Sequence, residues 1–159
     1  MIHIDKAVDY RLLHLSSTAF KEGGLIPAKY TCDGVNINPA LDIIHIPEEA
    51  KSLALIVDDP DAPFGTWVHW VVWNIPVTHH IKENEVHGTK GINDFQRNHY
   101  VGPCPPSGTH RYFFKVYALD AVLDLPANTK KLQLEKAMSE HIIAFGELTG
   151  LYKRNTALK

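Results

Sequence analysis

The sequence predicts a mainly β sandwich with a single late helix. Three observations carry that reading. Apolar, β-branched and aromatic runs are short and stopped by turn residues or prolines. Turn signals recur between them at Gly23-Gly24, Asp33-Gly34 and Ala127-Asn128. One stretch alone, from Leu134 to Phe145, has the period of a helix.

In chain order, residues 1–14 read as an N-terminal extension and residues 15–159 as one domain, with Leu12–Phe20 of mixed character. Leu41–Ile46 reads as a strand ended by Pro47, which cannot continue a central ladder. Ser52–Asp58 is a nearly continuous apolar run, the pattern of a strand buried on both faces. Val68–Ile75, rich in Val and Trp, stops at Pro76, and Tyr112–Leu119 is a third apolar strand. Leu134, Met138, His141, Ile142 and Phe145 recur at spacings of three or four and predict a helix covering a sheet edge. Thr129 is its expected N-cap and Gly146 its end, with Glu147–Tyr152 as a last short strand.

Composition excludes several classes. A chain of 159 residues holds one good core, so one domain is expected. Its formal charge of -2, with no basic run longer than two residues, argues against nucleic acid as a partner. The start lacks the basic and apolar regions of a secretory signal, and no apolar stretch is long enough for a transmembrane segment. Cys32 and Cys104 are too few for a disulfide framework. Together these predict a cytoplasmic protein with reduced thiols, a single Cys32–Cys104 bridge being the alternative.

Two stiff loops hold the chemistry. The first is Asp59-Pro60-Asp61-Ala62-Pro63, followed by Trp67-Val68-His69-Trp70. The second runs from Gly102 through Pro103, Cys104, Pro105, Pro106, Ser107, Gly108 and Thr109 to His110-Arg111-Tyr112. Asp58, Asp59 and Asp61 repel one another, and an Asx turn beside a proline would satisfy them; the paired prolines also suit a carboxylate held in one position. Period two places Trp67, His69, Val71 and Trp73 on one face of their strand and Val68, Trp70 and Val72 on the other. His69 is then either a satisfied core residue or an imidazole oriented through one nitrogen with the other facing a ligand. Trp67 could wall a pocket. His110 and Tyr112 share a side, whereas Arg111 points away, toward an ion pair with one of the loop aspartates. The Gly102–Gly108 loop has few backbone donors, but its glycines admit a ligand close to the main chain.

Those motifs, with Thr31-Cys32-Asp33-Gly34, Asn38-Pro39, Gly146-Glu147-Leu148 and Gly150-Leu151-Tyr152, resemble the phosphatidylethanolamine-binding protein family. The likeness is greatest to its bacterial and archaeal Raf kinase inhibitor-like branch, from about Leu15 to Arg154. The resemblance implies an antiparallel Greek-key β-sandwich with a small anion pocket at one end. It implies ligand-binding roles for Asp59, Asp61, Trp67, His69, Gly102, Pro105, Pro106, His110 and Tyr112. Val68 stands where animal members often have a second histidine, Cys104 where they often have glycine, and the Pro63–Trp67 loop is shorter.

The function expected is non-catalytic binding of a phosphate-like anion, a phospholipid head group or phosphomonoester, with no cofactor and no metal. No ligand pair has metal-site spacing, and Ser107 and Cys104 are nucleophile candidates by proximity alone. Alternatives are an inhibitor or scaffold with a kinase or protease as protein partner, or a hydrolase using the Asp/His/Tyr pocket. The resemblance also points to a homodimer.

Overall fold

Eight consecutive buried residues make Ser52–Asp59 the middle of the molecule. The computed structural model describes residues 11–155. Its strands are β1 (Arg11–Leu12), β2 (His14–Ser16), β3 (Gly24–Leu25), β4 (Leu41–Ile44), β5 (Ser52–Asp59), β6 (Trp67–Ile75), β7 (His80–Ile81), β8 (Thr89–Lys90), β9 (His110–Leu119) and β10 (Ile142–Tyr152). A 3₁₀ turn lies at Ala28–Tyr30, and the helix α1 spans Lys131–Met138.

The strands form two sheets. The larger, seven-stranded sheet runs β1-β10-β9-β5-β6-β8, with β3 added to β10; the smaller is β2-β4-β7. The central pairs β10/β9, β9/β5 and β5/β6 are antiparallel, while the short β1 and β3 lie parallel to β10. Leu15, Leu41, Ile43 and Ile81 of the small sheet meet Leu53, Leu55, Val57, Phe114 and Val116 of the large one. Each such side chain, fully buried, contributes about 1.5–3 kcal/mol.

On the outer face of the large sheet, Leu134 and Met138 of α1 cover Ile56, Val71, Trp73 and Tyr117. The helix therefore shields a sheet face rather than an edge. Lys131 fastens its start, with Nζ 2.7 Å from Oδ2 of the buried Asp58.

Three sequence expectations are corrected. The helix is shorter than its apolar period suggests: Lys130, not Thr129, is the N-cap, and His141, Ile142 and Phe145 lie beyond its end. Ile142–Gly146 belongs instead to the long strand β10, whose residues alternate in burial from Ile142 to Tyr152. Pairing along the whole of β9 outweighs a local period that suits a helix. The extension expected over residues 1–14 lies outside the described residues for 1–10. Its last residues, Arg11–His14, are built into the sheets, with Leu13 in the core.

The third concerns β6. Val57 pairs with Trp70 but Asp58 pairs with Val68, so His69 is an extra residue, a β-bulge. Val68 and Val71 pack on the outer face, whereas Trp70 joins the inner core and His69 packs edge-on against the inner-facing Tyr112. Strict alternation would have put His69 with Val71. The bulge turns it inward.

Candidate ligand-binding site

Because β5 lies between β6 and β9, the C-terminal end of β5 meets the N-terminal ends of both neighbours. Asp59 pairs with Trp67, and His110 and Tyr112 open the adjacent strand. Antiparallel pairing thus brings the two Pro-rich loops together at one end of the large sheet. Between them is a cavity of about 200 Å³, small beside the ~300–1,000 Å³ of typical drug-sized pockets.

Of the residues expected at a site, Asp59, Trp67, His69, Pro105, Pro106, His110 and Tyr112 line this cavity. Asp61 and Gly102 do not. Asp61 faces outward and takes the Arg111 guanidinium in both its oxygens, at 2.9 Å each, together with the Arg111 backbone N–H. Arg111 holds the Asp61 carboxyl down at a pKa of about 2. Gly102 stands behind the wall: a Cβ there would lie 2.0 Å from the Tyr30 carbonyl oxygen, and its N–H donates to Asn36 Oδ1 at 2.8 Å. Its lack of a side chain serves packing of the main chain rather than ligand approach.

The floor is polar and almost wholly committed. Asp59 Oδ2 accepts from His110 Nδ1 at 2.6 Å, and Oδ1 accepts the Asp61 N–H at 2.7 Å. Both side chains of the pair are buried. His69 donates from Nδ1 to the Val101 carbonyl at 2.6 Å. Burial chiefly lowers the pKa of His69, against the Val101 bond and the charges of Asp59, Asp58 and Asp94. Tyr112 is 1% exposed, and its Oη makes no well-formed hydrogen bond, the nearest polar group being the Asp59 carboxylate. Burial first, then the charge of Asp59 and a weak side-chain contact with it, push the Tyr112 pKa up, so the phenol stays protonated.

The walls are apolar. Phe95 packs edge-on against both Trp67 and His69, with ring centroids 5.7 and 5.1 Å away. Phe95, Ala62, Pro63, Phe64 and Cys104 also line the cavity and were not among the expected site residues. Phe95 is placed by the buried Asn93, whose Oδ1 accepts the Phe95 and Arg97 N–H groups while Nδ2 donates to the His69 and His99 carbonyls. An Asn-Asp turn signal exists in the sequence there, but no local pattern tells which strand that loop folds over.

Cys32 and Cys104 are joined in a disulfide, which corrects the expectation of reduced thiols. Long-range contacts align them: the Cys32 N–H donates to the Pro103 carbonyl, and the two Cα atoms come within 5.5 Å. Residues 104–109 make no backbone hydrogen bond to the rest of the described chain. The disulfide is their tie. Among the described residues, no group of three or more His, Cys, Asp or Glu side chains is placed to hold a metal ion. No helix there is long and apolar enough to cross a membrane.

The model of the phosphatidylethanolamine-binding protein family matches residues 16–153. The chain belongs to the phosphatidylethanolamine-binding protein family. A UPF0098 protein of Pyrococcus abyssi is 52% identical to it over 149 residues, covering 87% of this chain and 84% of that protein. The crystal structure of a putative phosphatidylethanolamine-binding protein homolog from Chlamydia trachomatis superposes with a TM-score of 0.87 at 44% identity, over 91% of this chain and 99% of that one. Escherichia coli YbcL, described as a member of the mammalian family, gives 0.84 at 30% identity, over 91% and 100%. As a phosphatidylethanolamine-binding protein family member, the chain keeps its mainly β sandwich and carries its cavity at the ends of β5, β6 and β9.

Proposed function

We propose that this family member is a non-catalytic binding protein for a small phosphate-like anion, a phosphomonoester or phospholipid head group. One observation carries the reading. A buried phenolic donor, Tyr112 Oη, has no well-formed acceptor, since the Asp59 carboxylate beside it already accepts from His110 and from the Asp61 N–H. Burying such a group unbonded costs about 1–3 kcal/mol, and an anionic oxygen would recover it.

The charge balance supports the same reading. Carboxylates about 4 Å from an anion would oppose it by about 4 kcal/mol at an effective dielectric near 20. Here Asp61 is neutralised by Arg111, and both Asp59 oxygens have donors. In its imidazolium form His110 donates through both nitrogens, one to Asp59 and the other to a ligand oxygen. The names of the family and of its Chlamydia homolog point to a ligand that contains phosphate. Absence of catalysis is supported by the two nucleophile candidates: the Cys104 sulfur is in a disulfide, and Ser107 is exposed and outside the cavity lining.

Isothermal titration calorimetry with inorganic phosphate and phosphoethanolamine tests this. Saturable one-site binding is expected at pH 5.5, weakening toward pH 8 and lost in His110→Ala. Affinity that stays the same between those pH values counts against a shared proton between ligand and floor, and no binding of either compound overturns the proposal.

A further inference from the structure

We propose that His69 makes this cavity selective for phosphate groups that carry a proton, monoesters and hydrogen phosphate, over diesters and sulfate. The inference rests on the binding reading above and specifies its ligand.

The argument begins with the tautomer. A carbonyl oxygen has lone pairs and no hydrogen, so the bond at 2.6 Å to Val101 O requires the proton on His69 Nδ1. The arrangement is braced from the other side, because the Val101 N–H donates to the His69 carbonyl and Asn93 Nδ2 donates to it as well. Ring and backbone therefore fix one orientation. Nε2, on the opposite side of the ring, has no partner among the described residues.

His69 is 3% exposed, and its ring makes T-shaped contacts with Phe95 and Tyr112. Burial disfavours the imidazolium. The acidic groups around it are occupied elsewhere: Asp59 by His110 and the Asp61 N–H, Asp58 by Lys115 and Lys131, and Asp94 by the Val68 N–H. The remaining titratable group of the floor, His110, faces Asp59. Neutral His69 consequently presents Nε2 as a bare acceptor.

The floor thus offers an acceptor, His69 Nε2, and a donor, Tyr112 Oη, on two cavity-lining rings whose centroids are 5.4 Å apart. A ligand that satisfies both must itself accept at one oxygen and donate from another. A phosphomonoester monoanion does so: its unprotonated oxygens take the phenol and the His110 proton, and its P–OH donates to His69. Phosphomonoesters keep that proton below a second pKa of about 6. A phosphodiester or sulfate has no proton to give and would set a lone pair against Nε2. Sites built around a ligand hydroxyl reject analogues that lack it by up to ~10⁴-fold.

Two matched pairs of ligands test this by calorimetry at pH 6: inorganic phosphate against sulfate, and phosphoethanolamine against glycerophosphoethanolamine. The second pair shares its head group and differs in mono- versus diester. We expect at least about tenfold tighter binding of the first member of each pair. Equal or tighter binding of sulfate and the diester overturns the inference while leaving anion binding intact. Failure of all four to bind overturns the binding reading and this inference with it. Since His69 substitutions could unsettle the Val101 contact, a measurement on the unaltered protein stands beside the titration. Two-dimensional ¹H–¹⁵N spectra of the imidazole should show a protonated Nδ1 and a bare Nε2, and an Nε2–H tautomer would sink the proposal.

Discussion

His110 Nδ1 donates to Asp59 Oδ2 at 2.6 Å, and both side chains are buried at the end of the central strands. The same carboxylate also accepts the Asp61 N–H, so it orients an imidazole and closes a loop at once. Asp59→Asn should therefore not be neutral for the fold. We expect a loss of ~1–3 kcal/mol in urea unfolding, together with at least tenfold weaker phosphate binding. Unchanged stability would show that the pair does not hold the loop.

Tyr112→Phe should separate stability from function. It removes a hydroxyl that has no well-formed hydrogen bond in the free protein. The variant should unfold at equal or higher urea concentration than the parent, while phosphate affinity falls at least tenfold, about 1.4 kcal/mol. A variant that is less stable and binds normally would assign the hydroxyl a structural role.

The Asp61–Arg111 pair makes an acid-stability prediction. The folded-state pKa of Asp61 is about 2, below the ordinary value of 3.8, chiefly because Arg111 donates to the carboxylate. A depressed carboxyl pKa gives stability that is present above the unfolded value and lost as pH falls through the folded one. The urea midpoint of Asp61→Asn should lie below the parent's at pH 7, and the gap should close near pH 2. A gap independent of pH would detach it from this ionisation.

The disulfide spans 72 residues of sequence and is the tie of the cavity wall at residues 104–109. Chain-entropy arguments assign a loop of that size up to about 4 kcal/mol. Replacing both Cys32 and Cys104 by Ser should lower the melting temperature and weaken phosphate binding, as should a dithiol reductant acting on the unaltered protein. Binding that survives reduction unchanged would mean that Pro105 and Pro106 hold their positions alone.

Gly102→Ala should be strongly destabilising although Gly102 lies outside the cavity. Its new Cβ would fall 2.0 Å from backbone oxygen at Tyr30, which cannot yield as a flexible side-chain tip can. Overpacking of this kind costs ~1–3 kcal/mol or more, measurable by chemical denaturation.

Much of this was legible in the sequence. The continuous apolar run at Ser52–Asp58, the Val- and Trp-rich run at Val68–Ile75 and the alternation at His110–Tyr112 each report a local period, and the strands follow them. The late helix reads too long in the sequence because Ile142 and Phe145 continue the helical spacing of Leu134 and Met138, and pairing with β9 overrides that local period. The two motif loops likewise identified seven of the lining residues, from Asp59 to Tyr112.

By itself, then, the sequence determined the central strands β5, β6 and β9, the family likeness and the residue types at one end of the sheet, because each is written in short-range pattern. Tertiary structure alone decided that Asp61 belongs to Arg111, that Gly102 packs on Tyr30, that Phe95 joins the wall and that Cys32 finds Cys104. It also decided which way His69 faces, through one extra residue in the pairing of β6 with β5. These are contacts between segments distant in the chain, and the pairing that creates them leaves no local period to read.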